Sequence, residues 1–329
     1  VDEQDFSGAI LIAHKNEVIE KRAYGTSCIE FDTKNRTDTK FNIASITKMM
    51  TAVATLQLVD NKTIDLHTPI GAYLPDYPNQ VVRDSVTVHQ LLSHTSGLNN
   101  FYVEEEYTEA NKLSLNTVED FIPLFSEKPL LSSPGKQYNY SASGFVLLGR
   151  IIEKTTGQDY FSHMRDNILG PLNMMNTTEL EVDSVVKNKA SGYNTFLQED
   201  HSPKKNEYYL SKASPAGFYY STIEDLFKFS KALRNYKLLS KETTELMFEP
   251  KVKGYTTYLG YGMDIDLRYN QKIIGHSGGW YGVRGELIDF MKDGYTVVIL
   301  SNVDDDGTSG TSKLSDSIKE LIGGKLTSE

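Results

Sequence analysis

Two β-rich runs flank Lys15-Asn16-Glu17 in SGAILIAHKNEVIEKRAY, residues 7–24, and predict a hairpin. The period then changes. In IASITKMMTAVATLQLVD, Ile46, Met49, Met50, Val53 and Leu56 recur at threes and fours, the spacing of one helix face. Three further helices carry their own start and stop signals. TVHQLLSHTSG pairs Thr87 with Gln90 in capping-box spacing and closes on Gly97, and SASGFVLLGRIIEKTTG runs from a Ser141 or Ser143 cap to Gly157. STIEDLFKFSKAL repeats the box with Ser221 and Glu224. After about residue 255 strands return in YGMDIDL, KIIGH, VRGELIDFM and YTVVILSN, the last two joined at Asp293-Gly294. The amphipathic segment KLSDSIKELI predicts a final helix.

Strands at both ends with helices between them predict an α+β fold, an antiparallel sheet built from the two chain ends rather than a doubly wound parallel one. The expected division is a sheet domain from residues 1–64 and 236–329, with a mainly helical insertion over 65–235. The active site is expected between them.

Charge and composition narrow the function classes. A net charge of -10 without long single-sign blocks leaves no basic face for nucleic acid. No apolar run approaches the ~20 residues of a membrane span. Cys28 is the only cysteine, so no intrachain disulfide exists and the redox compartment is open.

Several motifs compete for the chemistry. GHSGG, from Gly275 to Gly279, reads as the G-x-S-x-G nucleophile elbow, with Ser277 as nucleophile. An elbow of that kind needs a helix after the serine and a histidine later in the chain. Here the last histidine is His276 and the segment that follows reads as turn plus strand, so the elbow reading fails. Asn302, Asp304, Asp306 and Gly307 imitate a calcium loop, but Lys313 stands where the bidentate glutamate belongs. His89 and His94 are five apart and share no helix face as a zinc pair would. No metal site emerges.

A serine and a lysine one helical turn apart form a different machine. The S-x-x-K pattern occurs at Ser45, Ser133, Ser184 and Ser202. Ser133-Pro134-Gly135 is a turn, Ser202-Pro203 a polar loop, and Ser184 lies in a linker without periodicity; only Ser45 sits where a strong apolar helix begins. There the free N–H groups of the helix start favour a developing alkoxide, and Lys48 shares the face of Ser45. Apolar neighbours would pull the amine below its ordinary value, toward a usable base. The residues alone also allow Ser45 as a plain N-cap and Lys48 as a solvated charge.

FNIASITKMMTA, TVHQLLSHTSGL, PGKQYNYSASGFVLLG, PAGFYYSTIEDL and GHSGGWYG, in this order along nearly the whole chain, resemble the signature blocks of serine β-lactamase-like proteins. That family includes class C β-lactamases, D-alanyl-D-alanine carboxypeptidases, D-aminopeptidases and related esterases. The resemblance implies a β-lactamase/transpeptidase-like fold, Ser45 as the acylated nucleophile, Lys48 as its proton partner and Tyr140 as a proton shuttle to the leaving group. It implies that His276, Ser277 and Gly278 form a substrate-binding strand, with Gly278 allowing close backbone approach to substrate. The N–H groups of Gly279 and Ser45 would form the oxyanion hole. His94 is read as a structural residue of the loop after its helix. No cofactor is implied.

Two departures bear on substrate. Many relatives have Asn where this chain has Ala142, and that Asn binds a substrate amide. Class C β-lactamases carry Lys where this chain has His276. Both point away from a dedicated β-lactamase and toward small esters or D-amino-acid peptides and amides. A penicillin-binding D,D-carboxypeptidase, a class C-like β-lactamase and an acylable β-lactam sensor without turnover are the alternatives. The expected partner is a small-molecule or short-peptide substrate, with β-lactams as possible acylating ligands. A secreted or cell-envelope location fits the resemblance; a cytoplasmic one is the alternative, and the oligomeric state is open.

Overall fold

The structure, a computed structural model, describes residues 6–180, 183–195, 202–305, 307 and 310–324. Its frame is an antiparallel sheet of eight strands: β1 (Gly8–His14), β2 (Glu17–Tyr24), β3 (Val252–Lys253), β4 (Tyr258–Leu259), β5 (Asp264–Asp266), β6 (Ile273–Trp280), β7 (Val283–Phe290) and β8 (Tyr295–Ser301). The order across the sheet is β2-β1-β8-β7-β6-β5-β4-β3. The N-terminal hairpin therefore completes a sheet begun at the other end of the chain, with Gly8 opposite Ser301 and His14 opposite Tyr295. Its turn places Lys15 at φ 48° and Asn16 at φ 69°, two successive left-handed residues that match the twist of the strands they join.

The central strands are buried on both faces, their side chains alternating between two layers. Leu11, Leu287, Val298 and Leu300 join the larger core with the helices. Ile10, Ile288, Val297 and Ile299 face the other way, onto Leu314, Ile318 and Ile322 of the C-terminal helix α4 (Gly310–Gly323). In the larger core lies α1 (Thr47–Asp60), in which every residue from Thr47 to Leu56 is buried. The threes-and-fours face expected from the sequence is therefore only part of it. The helix is enclosed on all sides, and its polar Thr51 is satisfied by the Tyr160 hydroxyl and the Pro215 carbonyl.

α2 (Ala142–Thr156) is capped by Ser141, whose Oγ accepts from the Gly144 N–H, while Ser143 is buried inside the helix. It ends on Gly157 at φ 73°. The capping box of Thr87 and Gln90 is present. At the other expected box Ser221 pairs with Phe41 in a short ladder, and the cap of α3 (Ile223–Arg234) is Thr222, whose Oγ accepts from the Asp225 N–H.

The division expected at residue 235 falls on the far side of a helix that belongs with the sheet. α3 packs on β1 and β8. Its Ser230 and Arg234 both engage the fully buried Asp289 of β7, at 2.7 Å and 2.8 Å, so the carboxylate is held by donors from the helix. The Asp293-Gly294 turn is a four-residue connection with only Gly294 at positive φ. Strands β3 and β4 were not foreseen; at two residues each they are too short to show a period.

Candidate active site

Ser45 does not cap α1. It occupies a 3-10 turn, Ala44–Ile46, that feeds the helix, and its side chain makes no cap hydrogen bond. Ala44 before it stands at φ 40°, a left-handed conformation costly for a residue with a Cβ. Freed from capping, Ser45 Oγ accepts a 2.8 Å hydrogen bond from the Tyr140 hydroxyl and lies 3.0 Å from Lys48 Nζ. Lys48 Nζ also donates to the Ala216 carbonyl at 2.5 Å and sits 5.0 Å from the centre of the Tyr140 ring.

Lys48 is wholly buried, with no carboxylate against it among the described residues, and burial pulls its amine down from about 10.5 to about 7. Near neutral pH it is therefore divided between a form that can take a proton and one that can give it. Burial also holds the Tyr140 phenol well above its usual value, although its bond to Ser45 works the other way. Tyr140 stays protonated across the physiological range.

The strand carrying the third motif separates its own residues. β6 runs beside the Ser45 turn, and a Cβ on Gly278 would lie 2.3 Å from the Ile43 carbonyl oxygen. The close approach that needs glycine there is to the turn holding Ser45, which differs from the substrate contact expected. His276 shares the Gly278 face, its ring centre 6.5 Å from that of Tyr140. Burial, reinforced by the neighbouring Lys48, lowers it to about 4, so it is neutral at physiological pH. Ser277 points to the opposite face, where its strand partner is Glu286. The structure thus does not bring the Ser277 hydroxyl to Ser45. It lines instead a cavity of about 450 Å³ between the sheet and α4, with the half-buried Asp264 and the buried Glu286.

A cavity of about 70 Å³ opens directly on Ser45. Gly279 and Tyr140 border it, and so do residues the sequence did not single out: Asn100, Tyr102, Phe218 and Trp280. Tyr102 packs 5.1 Å from Phe218 and 5.6 Å from Trp280, ring centre to ring centre, making an aromatic wall. Among the described residues lining this cavity none is charged. Aromatics spread over residues 102–280 carry no local signal of that wall. Ala216 and Phe218 lie in the PAGFYY block and Trp280 in the GHSGGWYG block, none of them with an assigned role in the sequence alone. Phe218 stands at φ 72° and Ser214 and Gly217 exchange backbone hydrogen bonds, a tight turn that aims the Ala216 carbonyl at Lys48.

Ala142 is not among these lining residues. It is the first residue of α2 and fully buried in the core. Asn139 and Ser143, its neighbours, are also engaged: Asn139 Nδ2 donates to Ser132 Oγ at 2.8 Å, and Ser143 Oγ accepts from the Phe101 N–H at 3.3 Å. Ala142→Asn is therefore expected to place an amide without partners in the core, costing about 1–3 kcal/mol. Calorimetry should show a lower Tm with no gain in turnover of amide-bearing substrates. An unchanged Tm together with faster β-lactam hydrolysis would instead make residue 142 part of the substrate wall.

Among the described residues no group of three or more His, Cys, Asp or Glu is arranged to hold a metal ion. The calcium-like loop uses its carboxylates internally: Asp304 accepts from the Thr195 and Gly282 N–H groups and Asp305 from the Ser312 N–H, while Asp306 lies outside the described residues. No helix among the described residues is long and apolar enough to cross a membrane.

The family profile described as Beta-lactamase matches residues 1–315. The chain belongs to the Beta-lactamase family. Within it, penicillin-binding protein 4* of Bacillus subtilis is 26% identical over 322 residues, spanning 93% of this chain and 70% of that protein. The crystal structure of a penicillin-binding protein from Bacillus halodurans superposes with a TM-score of 0.88 at 27% identity, covering 98% of this chain and 97% of that one. A D-stereospecific amidohydrolase from Streptomyces sp. shares the fold, with a TM-score of 0.81 at 24% identity over 98% of this chain and 96% of that one. The antiparallel sheet with its helices is thus the fold of the penicillin-binding proteins on which it superposes.

Proposed function

We propose that this protein is a serine hydrolase that works through an acyl-enzyme on Ser45. The observation that carries the reading is the pair of contacts on one oxygen: Lys48 Nζ at 3.0 Å and the Tyr140 hydroxyl at 2.8 Å. Neutral Lys48 takes the Ser45 proton as Oγ forms its bond to the substrate carbonyl carbon. The backbone N–H groups of Ser45 and Gly279 receive the oxyanion. Tyr140, a phenol, donates a proton as the bond to the leaving oxygen or nitrogen breaks, and is replenished from protonated Lys48. A water then attacks the acyl-enzyme, its proton passing to the same pair, and Ser45 is regenerated.

The walls favour a substrate without a carboxylate beside the reacting carbonyl. Tyr102, Phe218 and Trp280 offer apolar faces, and none of the described lining residues supplies a fixed cation for a substrate carboxylate. Small esters and D-amino-acid amides therefore fit better than peptides whose terminal carboxylate must be held beside Ser45. A panel of short acyl esters, D-amino-acid amides, D-Ala-D-Ala peptides and a chromogenic cephalosporin tests this. We expect kcat/KM to be highest for esters or amides without a carboxylate. A clear preference for D-Ala-D-Ala peptides would replace the reading with a D,D-carboxypeptidase. Stable acylation by the cephalosporin without turnover of anything would replace it with a sensor.

A further inference from the structure

His94 is enclosed in the core, and three of its groups converge on the segment that carries Tyr140. Its carbonyl accepts the Asn139 N–H at 2.8 Å. Its Nδ1 accepts the Ser141 N–H at 3.1 Å. Between those two anchors its ring stacks on the Tyr140 ring, with centres 4.5 Å apart and planes 29° from parallel. One side chain and its own carbonyl thus hold residues 139, 140 and 141.

The geometry is specific to histidine in its neutral form. A ring nitrogen that accepts from a backbone N–H carries no proton, so the proton resides on Nε2. Nε2 is buried and has no hydrogen-bond partner among the described residues. His94 also stands at φ 56°, in the left-handed region, where the chain turns after its short helix. A buried donor left unpaired and a strained backbone both cost stability. What the arrangement secures is the position of the neighbouring tyrosine.

We infer that His94 is a positioning residue, which fixes the Tyr140 hydroxyl on Ser45 by stacking on its ring and pinning the peptide N–H groups on either side. It touches neither Ser45 nor a reacting atom. The inference rests on Tyr140 acting as proton donor in the proposed reaction, but its geometric content does not. Among the described residues, Lys48, His94, His276, Tyr102, Tyr138 and Asp264 are the titratable groups around Tyr140. Freed from its stack, the phenol meets water and its raised ionisation drops toward the ordinary value of about 10.

Two variants separate the contributions. His94→Phe keeps a ring against Tyr140 but cannot accept from Ser141, and His94→Asn keeps an acceptor and tolerates positive φ but loses the stack. With enzyme concentration set by fluorophosphonate titration, kcat on the best ester is expected to fall by about 10²-fold in His94→Phe, the scale of an ångström of misplacement. It should fall by a smaller factor, still above about 5-fold, in His94→Asn. In both, KM should change far less than kcat, and in His94→Asn, which loses the stack, the high-pH limb of kcat should move toward lower pH. A purely structural role would lower Tm and the titratable fraction without moving that limb. Crystal structures of the variants test the positioning without reference to turnover, through the Tyr140–Ser45 hydrogen bond, 2.8 Å in the native protein. If that bond is retained and kcat per titrated site stays within about twofold in His94→Asn, the inference is overturned, even where His94→Phe does not fold. If instead Tyr140→Phe hydrolyses at the native rate while the His94 variants displace Tyr140, the positioning stands and the proton-donor role of Tyr140 falls.

Discussion

Ser45→Ala is expected to abolish turnover, with a loss on the order of 10⁶-fold in kcat, and to remove covalent labelling by a fluorophosphonate or penicillin probe. The magnitude follows from the route. Without Oγ there is no acyl-enzyme, and what remains is the weak effect of the oxyanion donors on direct attack by water. Ser277→Ala should still label, because that hydroxyl points to the face of β6 away from Ser45, opposite Glu286. Peptide mapping of the adduct decides between them. Label recovered on Ser277 in the native protein would reject the arrangement outright. The fold should be untouched in Ser45→Ala, since the serine caps no helix and the 3-10 turn is held through the backbone.

The second large effect is expected at Lys48, and it carries a pH signature. Lys48→Ala should lower kcat by more than about 10²-fold, the usual scale for a positioned acid–base group. In the native protein the low-pH limb of kcat/KM should lie near pH 7, because burial lowers the amine to about 7. Below that pH Lys48 is protonated and cannot take the Ser45 proton, so the rate falls tenfold per unit. Above it the limb is flat until Tyr140 loses its own proton, far up the scale. The same shift has a stability sign. The unfolded chain binds a proton at Lys48 that the folded protein has released between about pH 7 and the ordinary lysine value, so this group makes the fold more stable as pH rises through that window. Lys48→Met, which keeps the stem and removes the charge, should flatten that dependence while remaining inactive. A low-pH limb near 4 instead would point to His276 as the titrating group.

Much of this was legible before any tertiary contact. The hairpin at Lys15-Asn16, the capping box at Thr87, the cap at Ser141 and the strands from 273 to 301 follow from local period and turn chemistry, which depend on residues a few positions apart. The S-x-x-K pair is local for the same reason: three residues on a helix start fix a lysine within reach of a serine.

What the chain could not disclose by itself is which side chains meet across distance. The sequence placed Ser277 with the substrate-binding residues, yet strand alternation relative to Glu286 turns it to the cavity behind the sheet. It placed Ala142 on the substrate wall, yet the first turn of α2 buries it. It treated His94 as loop packing, and the fold stacks it on Tyr140. Tyr102, Phe218 and Trp280 form one wall only because β6 lies against the Ser45 turn, an approach that requires the missing Cβ of Gly278. The spacing of Ser45 and Lys48 was legible in the sequence because one helical turn sets it. Their chemistry was decided by tertiary structure, since only the enclosure of α1 on every side removes water from Lys48 and turns a cation into a base.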